Sequence, residues 1–472
     1  MYPFLIFAQG LHNARPDLRV FERQEGVLLK AVDALLSLSD ADGEFFPLND
    51  AQKGMSYRAS SIVTAVNIAF HVGGQDPRLL SIAVEQGEVL LDDAGFSVAR
   101  AIRDGKTQPF EKRSVNLSDG ADGTQGGVAV LRLANEDLEL VFKYSSQGLS
   151  HGHYDKLSYS LYENGDDVLQ DYGMARFVNI EQKGGGNYLP ENTTWAKQTI
   201  AHNTLIRNET SHFQGKYENG SQHHSDLWFY DDNNSEVQVV SASESNAYPG
   251  TRMRRTMAMI GKGSFEEPLV LDILKVESDG EHQYDLPFYF MGQVVDVNFE
   301  YEVPAALGAL GENSGYQHLY LEGRGVAATD NTTFSWMDRG RFYTLTSVTE
   351  DDDELLFTRI GANDPDFNLR REAAFMIRRQ GARDTIFATI IEPHGGYSPV
   401  TELSVAARSR IAALEVVHDD DDYTAISIED DAGRTGLFVV SNSNASGDAL
   451  HRLKTGDAVH EWTGPYAWFG PE

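Results

Sequence analysis

Apolar residues in the first hundred positions recur at helical spacing. Leu28, Val32, Leu35 and Leu36 share one helical face, and Ile62, Val63, Val66 and Phe70 share another. Ser56 is a candidate cap for the second of these helices. Asp76-Pro77 reads as a cap and first-turn proline for a third, carrying Leu79, Ile82 and Ala83. Gly73-Gly74 separates the second helix from the third, and short loops between amphipathic helices predict antiparallel neighbours. Met1 to Ala8 reads as a helix already under way. It has neither the basic start nor the small-residue cleavage site of a signal peptide.

Near residue 100 the pattern changes to strands. Val128–Leu133 and Leu138–Tyr144 flank the turn Asn135-Glu136-Asp137. Leu157–Tyr162 and Val168–Tyr172 flank Asn164-Gly165, a strong hairpin signal. Alternation of period two continues through Arg341–Val348, Thr385–Ile391 and Thr435–Ser441. The expected class is α+β, with a helical part over 1–98 and a large antiparallel β-sheet or sandwich region over 99–472.

Composition narrows the function. With 71 acidic against 39 basic residues the net charge is −32, which disfavours nucleic acid and anionic membranes as partners. There is no cysteine, so disulfides and thiolate chemistry are excluded, and any metal must be held by His, Asp or Glu. No apolar run is long enough for a membrane helix. The acidic runs Asp351–Glu354 and Asp419–Asp422 lack the glycine and closing glutamate of an EF-hand loop and read as solvated loops.

Candidate chemistry is densest from Ser150-His151-Gly152-His153-Tyr154-Asp155 to Gln170-Asp171-Tyr172-Gly173. It continues through Arg176, the glycine run Gly184–Gly186, Asn187-Tyr188 and Ala201-His202-Asn203-Thr204. His-X-His on a strand puts two imidazoles on one face, which suits a metal site, although chance and structural roles account for most such pairs. A two-residue turn at Asn164-Gly165 sets Asp171 opposite Ser158, so the segment before Leu157 must curl back for His153 and Asp171 to share a site. Tyr154 and Tyr159 read as packing residues, and His212 and His223-His224 as surface residues. The sites Asn192, Asn208 and Asn331 carry no weight as glycosylation motifs.

The run SHGHYDKLSYSLYENGDDVLQDYGMARFVNI, followed by NYLPENTTWAKQTIAHNTL, resembles the core of the oligoalginate lyases. These form polysaccharide lyase family 17, within the heparinase II/III-like superfamily. The resemblance implies an (α/α) toroid packed on antiparallel sheets, here a partial one. It implies one structural zinc ion held by His153, Asp171 and His202, proton transfer by Tyr188 and His151, and substrate binding by Arg176. The implied reaction is β-elimination on alginate oligosaccharides, in a periplasmic or secreted setting, with a homodimer as the assembly to test. A binding remnant without catalysis and a glycosaminoglycan lyase are the alternatives. The family's upstream catalytic tyrosine and Asn-His pair precede the segment matching Met1-Tyr2-Pro3-Phe4. The resemblance therefore implies a shortened toroid and impaired turnover in a chain starting here.

Overall fold

A computed structural model describes residues 2–133, 137–148, 150–175, 186–361 and 369–471. The chain divides into two compact units. One comprises Met1–Pro47, Ala51–Val115 and Asn164–Asp166, and the other Leu48–Asp50, Asn116–Glu163 and Asp167–Glu472.

The first unit is helical: α1 (Tyr2–Ala14), α2 (Val27–Ser37), α3 (Ser60–Val72), α4 (Leu79–Gln86) and α5 (Asp93–Arg103). α3 is its centre, with Ile62, Val66, Ile68 and Phe70 buried among Leu5 of α1, Val32 and Leu36 of α2, Leu80 and Ile82 of α4 and Val98 of α5. Ser56 does not cap α3; the N-cap is Ala59, and the Ser56 hydroxyl instead meets the Arg58 amide at 3.4 Å. Asp76 stops the chain one turn before α4, its carboxylate accepting from the Arg78 amide at 2.9 Å. α5 is capped by Asp92, whose side chain accepts from the Gly95 amide at 3.0 Å. Gly95 has no substitute there, because a Cβ would lie 1.9 Å from the Leu90 carbonyl oxygen. Among the described residues, no helix is long and apolar enough to cross a membrane.

The second unit is a stack of antiparallel sheets. A five-stranded sheet runs in sequence order: β1 (Val115–Ser118), β2 (Gly127–Leu133), β3 (Leu138–Lys143), β4 (Ser158–Glu163) and β5 (Asp166–Leu169). Of the turn joining β2 to β3, Asn135 and Glu136 lie outside the described residues. Asn164 and Gly165 both adopt positive φ between β4 and β5, as a tight primed turn requires.

An eight-stranded sheet is centred on Leu269–Ser278, which pairs with Thr251–Ile260 on one side and Thr385–His394 on the other. A six-stranded sheet contains Ala373–Ala382, paired with Glu354–Ile360 and His282–Phe288. These three sheets share one core, in which Leu140, Phe142, Met257, Leu274, Phe334, Trp336 and Phe375 are essentially inaccessible. The strand Ile206–Arg207 joins the edge of the six-stranded sheet through His282–Phe288. A four-stranded sheet over residues 411–469 packs a separate apolar cluster against the back of the eight-stranded one. In the first acidic run Asp351 and Asp352 are exposed, but Asp353 is fully buried and bridged by Arg379 at 2.8 and 2.6 Å. That residue is an internal ion-pair partner rather than part of a solvated loop.

Candidate active site

The local conformation of the chain creates the site. Leu157, directly before β4, sits at φ 58°, a left-handed conformation that is costly for a branched side chain. Complete burial of Leu157 holds it there. The chain reverses at this point and carries His151–Asp155 out of the strand direction. Gly152 allows the fold-back, since a Cβ would lie 1.6 Å from the Gln147 carbonyl oxygen.

The reversal brings His153 and His202 together, their ring centroids 5.3 Å apart, and His202 Nδ1 lies 3.2 Å from Asp171 Oδ2. All three side chains are buried. Asp171 is fixed by an Asx-type bond from the Gly173 amide to Oδ1 at 2.9 Å. Asn203, beside His202, donates to the Tyr159 and Gln170 carbonyls, both at 2.9 Å, and so ties this loop to the β4–β5 hairpin.

Asp50, which carries no sequence signal, organises the histidines. Its backbone amide donates to the His151 carbonyl at 3.2 Å. One carboxylate oxygen meets His151 Nδ1 at 2.8 Å; the other meets His153 Nε2 at 3.1 Å and accepts from Asn192 at 2.8 Å. The Lys197 ammonium lies 3.3 Å away. Burial alone would raise the Asp50 carboxyl. Hydrogen bonds with His153, Asn192 and His151 outweigh it and hold the group well below the usual carboxylate range.

Asp50 is therefore an obligate acceptor, and that sets the tautomers. His151 gives its Nδ1 proton to Asp50, leaving the Nε2 lone pair on a ring that is 67 % exposed. His153, kept neutral by burial, gives its Nε2 proton to the same carboxylate. Its Nδ1 lone pair is then left buried with no hydrogen-bond partner.

The arrangement fits a cation. His153, Asp155 and His202 each offer one ligand atom, all within 4.8 Å of one another. Asp155 Oδ1, like His153 Nδ1, is buried without a partner, while its other oxygen pairs with Lys143. His202 gives its Nε2 proton to the Ala196 carbonyl at 3.0 Å. Its Nδ1 can then face the Asp171 carboxylate only through a second proton or a metal. A 3.2 Å separation is close to the about 3.3 Å edge of a tetrahedral nitrogen–oxygen site. Without a metal, burial disfavours charge on His202, yet Asp171 lifts its pKa above the ordinary value. Neutral imidazole nitrogens and carboxylate oxygens suit a divalent transition metal, and Asp50 behind His153 is the usual outer partner of such a ligand.

Of the other sequence-predicted residues, Tyr188 ends a short 3-10 turn, Gly186–Tyr188, and is 86 % exposed. Arg176 lies outside the described residues. Tyr154 and Tyr159 are buried packing residues, as expected. His212 is not on the surface. It is fully buried, with Nε2 3.1 Å from the Leu205 carbonyl and Nδ1 accepting from the Lys156 amide at 3.2 Å. Asp50, Asn192, Lys197 and Asp155 were given no site role from the sequence. Only Asp155 had a usable signal, since it continues the alternation of His151 and His153.

The family model described as heparinase II/III-like, C-terminal matches residues 116–415, and the chain belongs to that family. It is homologous to curated alginate lyases: 38 % identical over 472 residues to an exo-oligoalginate lyase of Saccharophagus degradans, and 40 % over 468 residues to an alginate lyase of Stenotrophomonas maltophilia. Each alignment covers 98 % of this chain but only 63 % and 62 % of the relatives' lengths. Among solved structures, a heparinase III aligns at TM-score 0.57 with 11 % identity, covering 90 % of this chain and 53 % of its own. The heparan sulfate lyase HepC from Pedobacter heparinus aligns at 0.51 with 14 % identity, covering 90 % and 63 %. These two likenesses bear on fold alone: helices followed by antiparallel sheets.

Proposed function

We propose that the chain serves a lyase reaction on alginate oligosaccharides, cleaving them by β-elimination to an unsaturated uronate. Its likeness to two alginate lyases across nearly its whole length carries this reading, and the Asp50–His151 pair gives it a chemical basis. In the elimination the proton on C5 leaves to a base, the C4–O bond breaks, a C4=C5 double bond forms, and the departing oxygen takes a proton. The C5 proton is weakly acidic, so the neighbouring carboxylate must be neutralised by donors as charge builds on it.

His151, with Nδ1–H pinned by Asp50 and Nε2 open, is preset as a proton acceptor. Tyr188 is the hydroxyl that hands on a proton, and Arg176 is assigned the planar capture of a uronate carboxylate. Zinc is the metal proposed for His153 and His202 with Asp171, and Asp155 lies within reach as a further oxygen ligand. When bound, it supplies rigidity to the loops carrying His151 and Tyr188. The residues themselves bind the sugar and move the protons.

The wide exposure of Tyr188 favours a second reading, binding of acidic oligosaccharide without cleavage. The test is a substrate panel followed by the ultraviolet absorbance of unsaturated uronate. Turnover of alginate oligomers but not of heparan- or chondroitin-type ones supports the proposal. Cleavage only of the glycosaminoglycans moves the substrate assignment. Saturable binding without any product supports the second reading.

A further inference from the structure

We propose that a pocket of about 460 Å³ on the second unit, apart from the histidine cluster, is an additional binding site for a carboxylate-bearing saccharide, with Arg207 as its anion anchor. The size suits one or two sugar rings. The lining chemistry is unusual for this molecule. In a chain with 71 acidic residues, none of the side chains lining this pocket is Asp or Glu. Its rim is instead built of carboxamides, among them Asn219, Gln222 and Asn246. Such groups both donate and accept, as a ring of sugar hydroxyls requires. The pocket's apolar wall is Phe213 and Tyr248, with His223 stacked on Phe213 at 5.8 Å and nearly parallel.

Arg207 supplies the charge. Its guanidinium lies over the Tyr248 ring at 5.1 Å, and Nη1 is held by the Pro249 carbonyl at 2.9 Å and Thr251 Oγ1 at 2.6 Å. Among the described residues it forms no ion pair, although most arginines here are matched to a carboxylate. The fork is thus oriented on one side by neutral acceptors and keeps its remaining N–H groups for an anion. Lys216, which does not itself line the pocket, donates to the lining residue Gln214 at 3.0 Å.

The wall is held firmly. Phe213 and Gln214 take consecutive left-handed conformations, φ 56° and 59°, a strain that persists only where the surroundings enforce it. Here the enforcement is burial of Phe213, with His212 N donating to Thr199 Oγ1 at 2.8 Å and Ser211 Oγ accepting from the Thr199 amide at 3.2 Å.

The uronate-lyase reading enters only in the choice of probe. Mannuronate, a monosaccharide that cannot be cleaved, is titrated into the full chain by calorimetry, with mannose as the neutral control. Crystals soaked in the same sugar locate it. The expected result is mannuronate at Arg207, with affinity at that site reduced about ten-fold or more in Arg207→Met, the usual size of a lost charge-assisted contact. Turnover of an alginate disaccharide is expected to be unchanged in that variant. Equal mannuronate binding by wild type and Arg207→Met, or equal binding of mannose, overturns the proposal. If Arg207-dependent binding persists while no alginate oligomer is cleaved, the lyase reading fails and the pocket stands. Arg207→Lys, which keeps charge but loses the fork, restores binding only partly if the carboxylate is held by the fork.

Discussion

Arg255 is fully buried and joins the eight-stranded sheet to the loops that carry the site. Its Nε and Nη2 donate to the two oxygens of Asp272 at 2.8 and 2.6 Å, and Nη1 donates to the Leu157 and Asn203 carbonyls at 2.8 and 2.7 Å. Leu157 is the residue at which the chain reverses, and Asn203 follows His202. Arg255→Met keeps the length and removes every one of these bonds. It leaves Asp272 charged in the core, which costs about 3–5 kcal/mol when a buried pair is broken from one side. Arg255→Met with Asp272→Leu removes the stranded charge. It should recover most of that loss but retain a penalty of about 1–3 kcal/mol for the orphaned carbonyls. Urea unfolding followed by tryptophan fluorescence reads both values, and metal content read alongside reports on the loops. A loss under about 1 kcal/mol in Arg255→Met would refute the view that this guanidinium clamps the site to the sheet.

Three further outcomes are expected. Elemental analysis should find about one zinc per chain, and His153→Ala with His202→Ala should abolish it; unaltered metal content would sink the ligand assignment. Burial pushes the His212 imidazole down to about 3, so the unfolded chain binds the extra proton first. Stability is then complete above the unfolded value of about 6.5 and falls as pH drops toward 3, by roughly 5 kcal/mol from this group. His212→Gln should flatten the pH 6 to 4 limb of the unfolding curve, and an unchanged limb would show that other groups dominate it. Tyr188→Phe should keep fold and metal yet reduce alginate turnover about a hundred-fold, in line with loss of one proton-transferring group; full turnover would remove Tyr188 from the chemistry.

The hairpin at Asn164-Gly165 was legible because its turn chemistry and strand patterns are local, and α2 to α4 because their apolar faces repeat. α5 was not, since its arginines and small residues hide a stripe anchored by Ala94, Val98 and Ala101. The order of the large sheets was not legible either: Val270 pairs with Ile391, and no local feature encodes a partner more than a hundred residues away. At the site, His153, Asp171 and His202 were picked out as candidate ligands by residue type and resemblance, whereas the buried group that could hold a metal is His153, Asp155 and His202. Asp50 was not picked out, because its role exists only once the Leu157 reversal has delivered two histidines to it. His212 was misread because polarity alone suggested the surface, whereas two backbone hydrogen bonds satisfy it in the interior.

The most direct test of the account is the fate of water during cleavage. An alginate trisaccharide is incubated with the protein in water enriched in oxygen-18, and the products are weighed by mass spectrometry. Elimination adds no water across the broken bond. The account predicts one product that is short of a hydrated sugar by one water and carries no label from cleavage, once exchange at the reducing end is subtracted. One oxygen-18 per bond broken, with both products fully hydrated, would mean hydrolysis and would contradict it.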